Sequence, residues 1–303
     1  MHRVFMDDQH RLRNGWWILV FIAFVAITRA LHTPLVGALK QWGVADAWRE
    51  PLPVAFLLLA TWACMRLRRQ PLAEVGLRLD ARFAREFAWG SALGLTMLAV
   101  VTALMMAAGV VTLQLDPARS VGGVMWGLYA FAWAALLEEL LFRGFVFQRL
   151  VDGIGARGAV AGMAALFAAG HWSNPGMEGA ARIIGTVDIA LAAVMLGLAW
   201  LRTRSLALPL GLHLGWNWAQ GSVLGFKVSG HEHVGWWSPV IDAGAPWLSG
   251  GGVGAEGSVF SVAVSLAVIA LLWRWKGTSP RGQVEAAGVE RVRGASPGAV
   301  AAR

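Results

Sequence analysis

Cysteine is almost missing from this sequence, with Cys64 alone in 303 residues. That excludes an internal disulfide framework and a cysteine-based zinc site within one chain, and Cys64 itself reads as a small buried hydrophobe. Charge is scarce too: 15% of residues are charged and 57% hydrophobic, with a mean hydropathy of +0.56. Such a chain is too apolar for one or two soluble domains. No His-Glu-x-x-His, Gly-x-Ser-x-Gly or P-loop pattern occurs, so the compact zinc-protease helix, the nucleophile elbow and the phosphate cradle are left out. The net charge of +8 and pI near 11.1 raise the question of nucleic acid. The basic residues, however, flank apolar runs and form no single face with aromatic platforms, so no nucleic-acid partner is expected.

What the sequence has in quantity is apolar stretches near the ~20 residues that cross the hydrocarbon core of a bilayer. About eight are found, at 15–33, 50–67, 87–111, 121–149, 156–172, 182–201, 206–226 and 256–275. The expected fold is all-α, a polytopic transmembrane helical bundle in contact with membrane lipid. The first stretch reads as a retained signal anchor, with Arg29 snorkelling to the far interface. Arg66, Arg68, Arg69, Arg78, Arg82 and Arg85 crowd the connection after the second span. Arg149 and Arg157, Arg202 and Arg204, and Arg274 and Lys276 mark later ends of the same sidedness. The positive-inside rule then puts both termini in the cytoplasm, in what is read as the plasma membrane. Residues 1–14 form a cytoplasmic N-terminus, 15–276 the membrane domain, and 277–303, rich in Gly, Ala, Pro and Arg, a disordered tail.

Seventeen tryptophans fit interfacial aromatic belts. The segment Ser229 to Gly257 reads as a long interfacial loop on the outer side. Within it His231-Glu232-His233 reads as a solvated cluster without function rather than a metal clip. Gly90…Gly94, Gly158…Gly162 and Gly211…Gly215 have the small-xxx-small spacing that permits close helix approach.

Three places carry polar groups that lipid does not welcome. The fourth span contains Glu138-Glu139-Leu-Leu-Phe-Arg143, and each charge near the bilayer centre costs ~2.5–3.5 kcal/mol on insertion scales. Glu139 and Arg143, at i and i+4, share a helical face and can pair, whereas Glu138 points about 100° away. The fifth span supplies Phe167…His171, and the seventh His213…Asn217, again at i and i+4. Groups on three helices can converge in a bundle. A water held between carboxylate and imidazole could be activated there, with donors placed for an oxyanion, which is hydrolytic chemistry.

Glu-Glu-x-x-x-Arg, Phe-x-x-x-His and His-x-x-x-Asn, in this order, resemble the motifs of the CAAX prenyl protease and bacteriocin-processing family, over residues 120–225. The resemblance implies an eight-helix intramembrane endopeptidase acting on a protein or peptide with a membrane-associated segment. Carried over, Glu138 is the base, Glu139 and Arg143 support it, His171 positions water or a metal, and His213 with Asn217 forms the oxyanion pocket. Either no cofactor or Zn2+ is implied. If zinc, its ligands would be Glu138, His171 and His213, although glutamate-activated water without metal suits Asn217 better. Two readings compete: an ion-coupled transporter or channel using the same charges, and a catalytically silent immunity or scaffold protein. Simple span counting also sets a difficulty, because it places Glu138 about 16 Å, His213 about 11 Å and His171 about 22 Å from the cytoplasmic ends.

Overall fold

Apolar runs punctuated by capping residues give the bundle. A computed structural model describes residues 5–6, 12–242 and 244–279; most of the expected tail, 280–303, lies outside the described residues, as do 1–4 and 7–11. Among the described residues eight longer helices follow one another: α1 Asn14–Gln41, α2 Leu52–Leu67, α3 Ala81–Ala107, α4 Val121–Arg143, α5 Phe145–His171, α6 Gly179–Thr203, α7 Ala207–Trp218 and α8 Val259–Arg274. Three starts are set by side chains that accept the otherwise unpaired amide of the first turn: Asp80 from Phe83, Ser120 from Gly123 and Ser258 from Ser261. The fold is an all-α membrane helical bundle.

Asn14–Gln41, Asp46–Leu67, Ala81–Ala107 and Gly179–Thr203 are long and apolar enough to cross a bilayer, and Val259–Arg274 is a shorter apolar helix. The helices carrying the three motifs, α4, α5 and α7, are not in that group. Two of them hold several charges, and the third is 12 residues long.

The fourth span differs from its expected 121–149. α4 stops at Arg143, because Gly144 takes a non-helical ψ of −125° and a Cβ there would stand 2.2 Å from the Leu140 carbonyl oxygen. α5 begins at once and bends at Gly155, whose φ of 79° and ψ of 164° lie outside the helical region. The chain thus breaks within the sequence expected as one span and again before the expected fifth.

α3 and α7 pack backbone against backbone. A Cβ on Gly90 would lie 2.3 Å from the Leu208 carbonyl oxygen, and one on Gly94 2.3 Å from that of Leu212. From the other side, a Cβ on Gly211 would meet the Phe87 oxygen at 2.1 Å and one on Gly215 the Ser91 oxygen at 2.3 Å. Two of the three small-xxx-small pairs therefore interlock with each other. The third does not: Gly162 has nothing within 4 Å, and the three atoms nearest a Cβ on Gly158 all belong to Ile154 of its own helix.

The arginine-bearing helix ends gather at one end of the bundle. Arg82 donates to the Thr203 carbonyl (2.5 Å), Arg149 to Asn14 (3.3 Å) and Arg202 to the Trp273 carbonyl (2.7 Å), while the Leu206 amide donates to Gly76 (2.9 Å). Residues beyond α8 join them, since the amides of Thr278 and Ser279 donate to the Arg202 carbonyl.

The segment 229–257 departs from the plain interfacial loop expected of it. Trp237–Ile241 pairs antiparallel with Val111–Leu115 in a two-stranded sheet. The Gly230 amide donates to the Val253 carbonyl (2.8 Å), tying the segment back on itself.

Candidate active site

Arg143 and Glu139 form the centre of the site, as their four-residue spacing requires. Arg143 Nη1 donates to Glu139 Oε1 at 3.0 Å, with the two side chains 1% and 0% exposed. Arg143 Nη2 also donates to the Ala193 carbonyl of α6 (3.3 Å), and its guanidinium lies 5.0 Å from the Phe167 ring centroid on α5. One buried cation therefore joins three helices.

α7 brings His213 to the same carboxylate. Nδ1 stands 2.9 Å from Glu139 Oε1 and, since a carboxylate only accepts, Nδ1–H is the donor. Nε2 then faces Glu138 Oε2 at 3.7 Å. Glu139 thus fixes the rotation and tautomer of His213 and points its other nitrogen at Glu138, a link between residues 74 apart in sequence. α7 continues directly into a π turn, Ala219–Val223, a distortion frequent at functional sites.

The depth difficulty of His171 resolves through the break at Gly144. Phe142, one turn beyond Glu138 on α4, meets Phe167 edge-on with centroids 4.9 Å apart. One turn further along α5 stands His171, which ends the helix. Its Nδ1 lies 2.8 Å from the Phe167 carbonyl oxygen, so Nδ1–H donates and Nε2 keeps a lone pair.

Glu138, His171, His213 and Asn217 all line one cavity of about 580 Å³. Glu139 and Arg143 stand behind its wall. The same cavity is lined by Asp188 and Glu256, which the sequence reading did not assign to a site. Asp188, 3% exposed, accepts from Ser261 (2.5 Å) and Ser265 (3.0 Å) of α8. Glu256 accepts from the amide (2.8 Å) and hydroxyl (2.9 Å) of Ser229. The signal for Asp188 was an aspartate inside an otherwise apolar span. His231 and His233 are exposed, as expected of a solvated cluster, and they also line the cavity. His233 rests on Phe131 with centroids 5.0 Å apart. Desolvation, then the neighbouring His231, lowers its pKa from the usual imidazole value.

Zinc is the metal that the resemblance raises. Glu138, His171 and His213 do not fit a three-ligand zinc site in this arrangement: among the described residues no group of three or more His, Cys, Asp or Glu side chains stands close enough to hold a metal ion. His213 keeps Nδ1 on Glu139, so only its Nε2 faces the cavity side. What the cavity lining offers is a carboxylate, Glu138, together with three side chains that carry hydrogen-bonding nitrogens, His171, His213 and Asn217.

Residues 120–219 match a family model described as Rce1-like, type II CAAX prenyl endopeptidase. The matched segment runs from the cap of α4 to the end of α7 and contains all three motifs, so the resemblance holds at the level of the family. No curated protein and no solved structure gives a match.

Proposed function

We propose that this chain, as a relative of the type II CAAX prenyl endopeptidases, is an intramembrane endopeptidase that hydrolyses a peptide bond in a membrane-associated protein or peptide by glutamate-activated water. The observation that carries the reading is His213 held between Glu139 and Glu138 on the wall of a cavity that His171 and Asn217 also line.

In the proposed reaction Glu138 takes a proton from a water that donates its other hydrogen to the His171 Nε2 lone pair. The water oxygen bonds to the carbonyl carbon, and the carbonyl oxygen becomes an oxyanion that accepts from His213 Nε2–H and the Asn217 amide. Because Glu139 already holds Nδ1–H, donation from Nε2 requires the imidazolium form. Collapse breaks the carbon–nitrogen bond, and the proton on Glu138 passes to the leaving amine.

Support for a membrane setting with both termini cytoplasmic comes from the arginine-bearing ends gathered on one side. The plasma membrane is the proposed location, and lipid and a peptide or protein substrate are the proposed partners.

Purified protein tested on a membrane-peptide library should show turnover that falls ~10²–10⁴-fold in Glu138→Gln, the span typical of general-base loss. Undiminished turnover by that variant removes Glu138 from the base role. Elemental analysis of the active protein, followed by chelation and zinc readdition, decides the metal question. Stoichiometric zinc whose removal and return switch activity would replace the metal-free mechanism.

A further inference from the structure

The cavity has a direction. None of its lining residues comes from the arginine-bearing segments 66–85, 149–157, 202–206 or 274–279. Its polar rim is instead Asn174 of the α5–α6 connection with Ser229, His231 and His233 of the segment after α7, and both histidines are exposed. The helix lengths agree. α5 ends at His171, whereas the part of α4 before Glu138, residues 121–137, continues about 25 Å away from the arginine end. One wall of the site is therefore high and the other low. Ala134 on the high wall and Gly170 on the low one both line the cavity and are exposed on the flank of the bundle.

Charge gives that direction a side of the membrane. At the cavity end Lys40, Arg49, Arg119, Arg182 and Lys227 are nearly cancelled by Asp46, Glu50, Asp116, Glu178, Glu232 and Asp242. At the other end Arg66, Arg68, Arg69, Arg78, Arg82 and Arg85 face only Glu74, Asp80 and Glu86 in the same connection. The positive-inside rule counts Lys and Arg near helix ends, and it sets the second end in the cytoplasm.

We propose that the cavity opens on the extracytoplasmic face, and that it takes as substrate the outer flank of a membrane-anchored peptide rather than a cytoplasmic tail. The substrate half rests on the endopeptidase reading. A flank just outside a membrane span can enter between the high α4 wall and the low α5 end without its anchor leaving the lipid. A cytoplasmic tail would have to pass the packed arginine end, which contributes no cavity wall.

The opening is tested independently of activity. Cys64, the single native thiol, is fully buried, and a Cys64→Ala background removes it. In that background Asn174→Cys, His233→Cys and Arg78→Cys are treated in intact cells with a charged, membrane-impermeant maleimide. Asn174→Cys and His233→Cys should react in intact cells, and Arg78→Cys only after the membrane is opened. Reaction of the cavity cysteines only after opening, or of Arg78→Cys in intact cells, overturns the proposal. Should either cavity variant fail to insert, Glu232→Cys on the exposed rim gives the same readout.

The substrate half is tested in sealed vesicles of known sidedness, with one anchored peptide presenting its cleavable segment on either face. Cleavage confined to the extracytoplasmic presentation, with both forms cut in detergent, supports it, and cleavage confined to the cytoplasmic presentation overturns it. Cleavage of neither form in detergent overturns the endopeptidase reading instead, while the labelling pattern still decides the opening.

Discussion

At the residue scale the site depends on one buried guanidinium. Arg143 neutralises Glu139, which has no exposed surface and whose Oε2 has no partner. Arg143→Ala leaves that carboxylate with only the His213 Nδ1–H bond, and removal of one partner from a buried pair costs about 3–5 kcal/mol. Thermal stability of the purified variant should therefore fall together with activity, whereas Glu138→Gln should leave the melting temperature near that of the parent, because Glu138 is partly exposed and its partner His213 is also held by Glu139. An Arg143→Ala protein that melts with the parent but is inactive would assign Arg143 to chemistry instead. The pair was legible, since i and i+4 on a helix share a face. The Glu139–His213 bond was not, because nothing local relates residues 139 and 213. Asp188 escaped for another reason: its two serine partners sit on α8, so its span showed only a single acid.

At the element scale, helix packing separates glycines of the same spacing. Gly94→Ala should destabilise by ~1–3 kcal/mol, the usual range for overpacking, since its Cβ would stand 2.3 Å from a backbone oxygen. Gly162→Ala meets open space and should be neutral or stabilising by roughly 0.5–1 kcal/mol, through helix propensity. Thermal denaturation of the two variants in one detergent checks this, and equal effects would contradict the interlock. The sequence pointed to three small-xxx-small pairs without indicating which would meet, because spacing shows where a backbone can approach and not what approaches it. The break at Gly144 was missed for a related reason: apolar residues continue on both sides of it, and hydropathy does not register a change of direction.

At the scale of the whole molecule the bundle has a charged end and a nearly balanced one. Reporter fusions after Arg69 and after Lys276 should both report the cytoplasm, and an outside signal from either would reverse the orientation. The number and order of helices were readable from apolar runs and arginine clusters. The segment 229–257 was not, because its folding back over the cavity is held by backbone contacts such as Gly230 to Val253 that composition does not encode.

The interlock of α3 and α7 also bears on how the protein is made. α3 leaves the ribosome about a hundred residues before α7, so during synthesis its glycine groove faces lipid tails or the insertion machinery. α7, with 12 residues before its π turn, falls short of the roughly 20 residues of a full span. Its insertion is therefore not an independent event: the groove on α3 supplies the backbone surface that a full-length span would have replaced with its own apolar length. Biogenesis thus delivers His213 and Asn217 last among the motif residues, onto a helix pair whose other half, together with Glu138, Glu139, Arg143 and His171, has already entered the membrane.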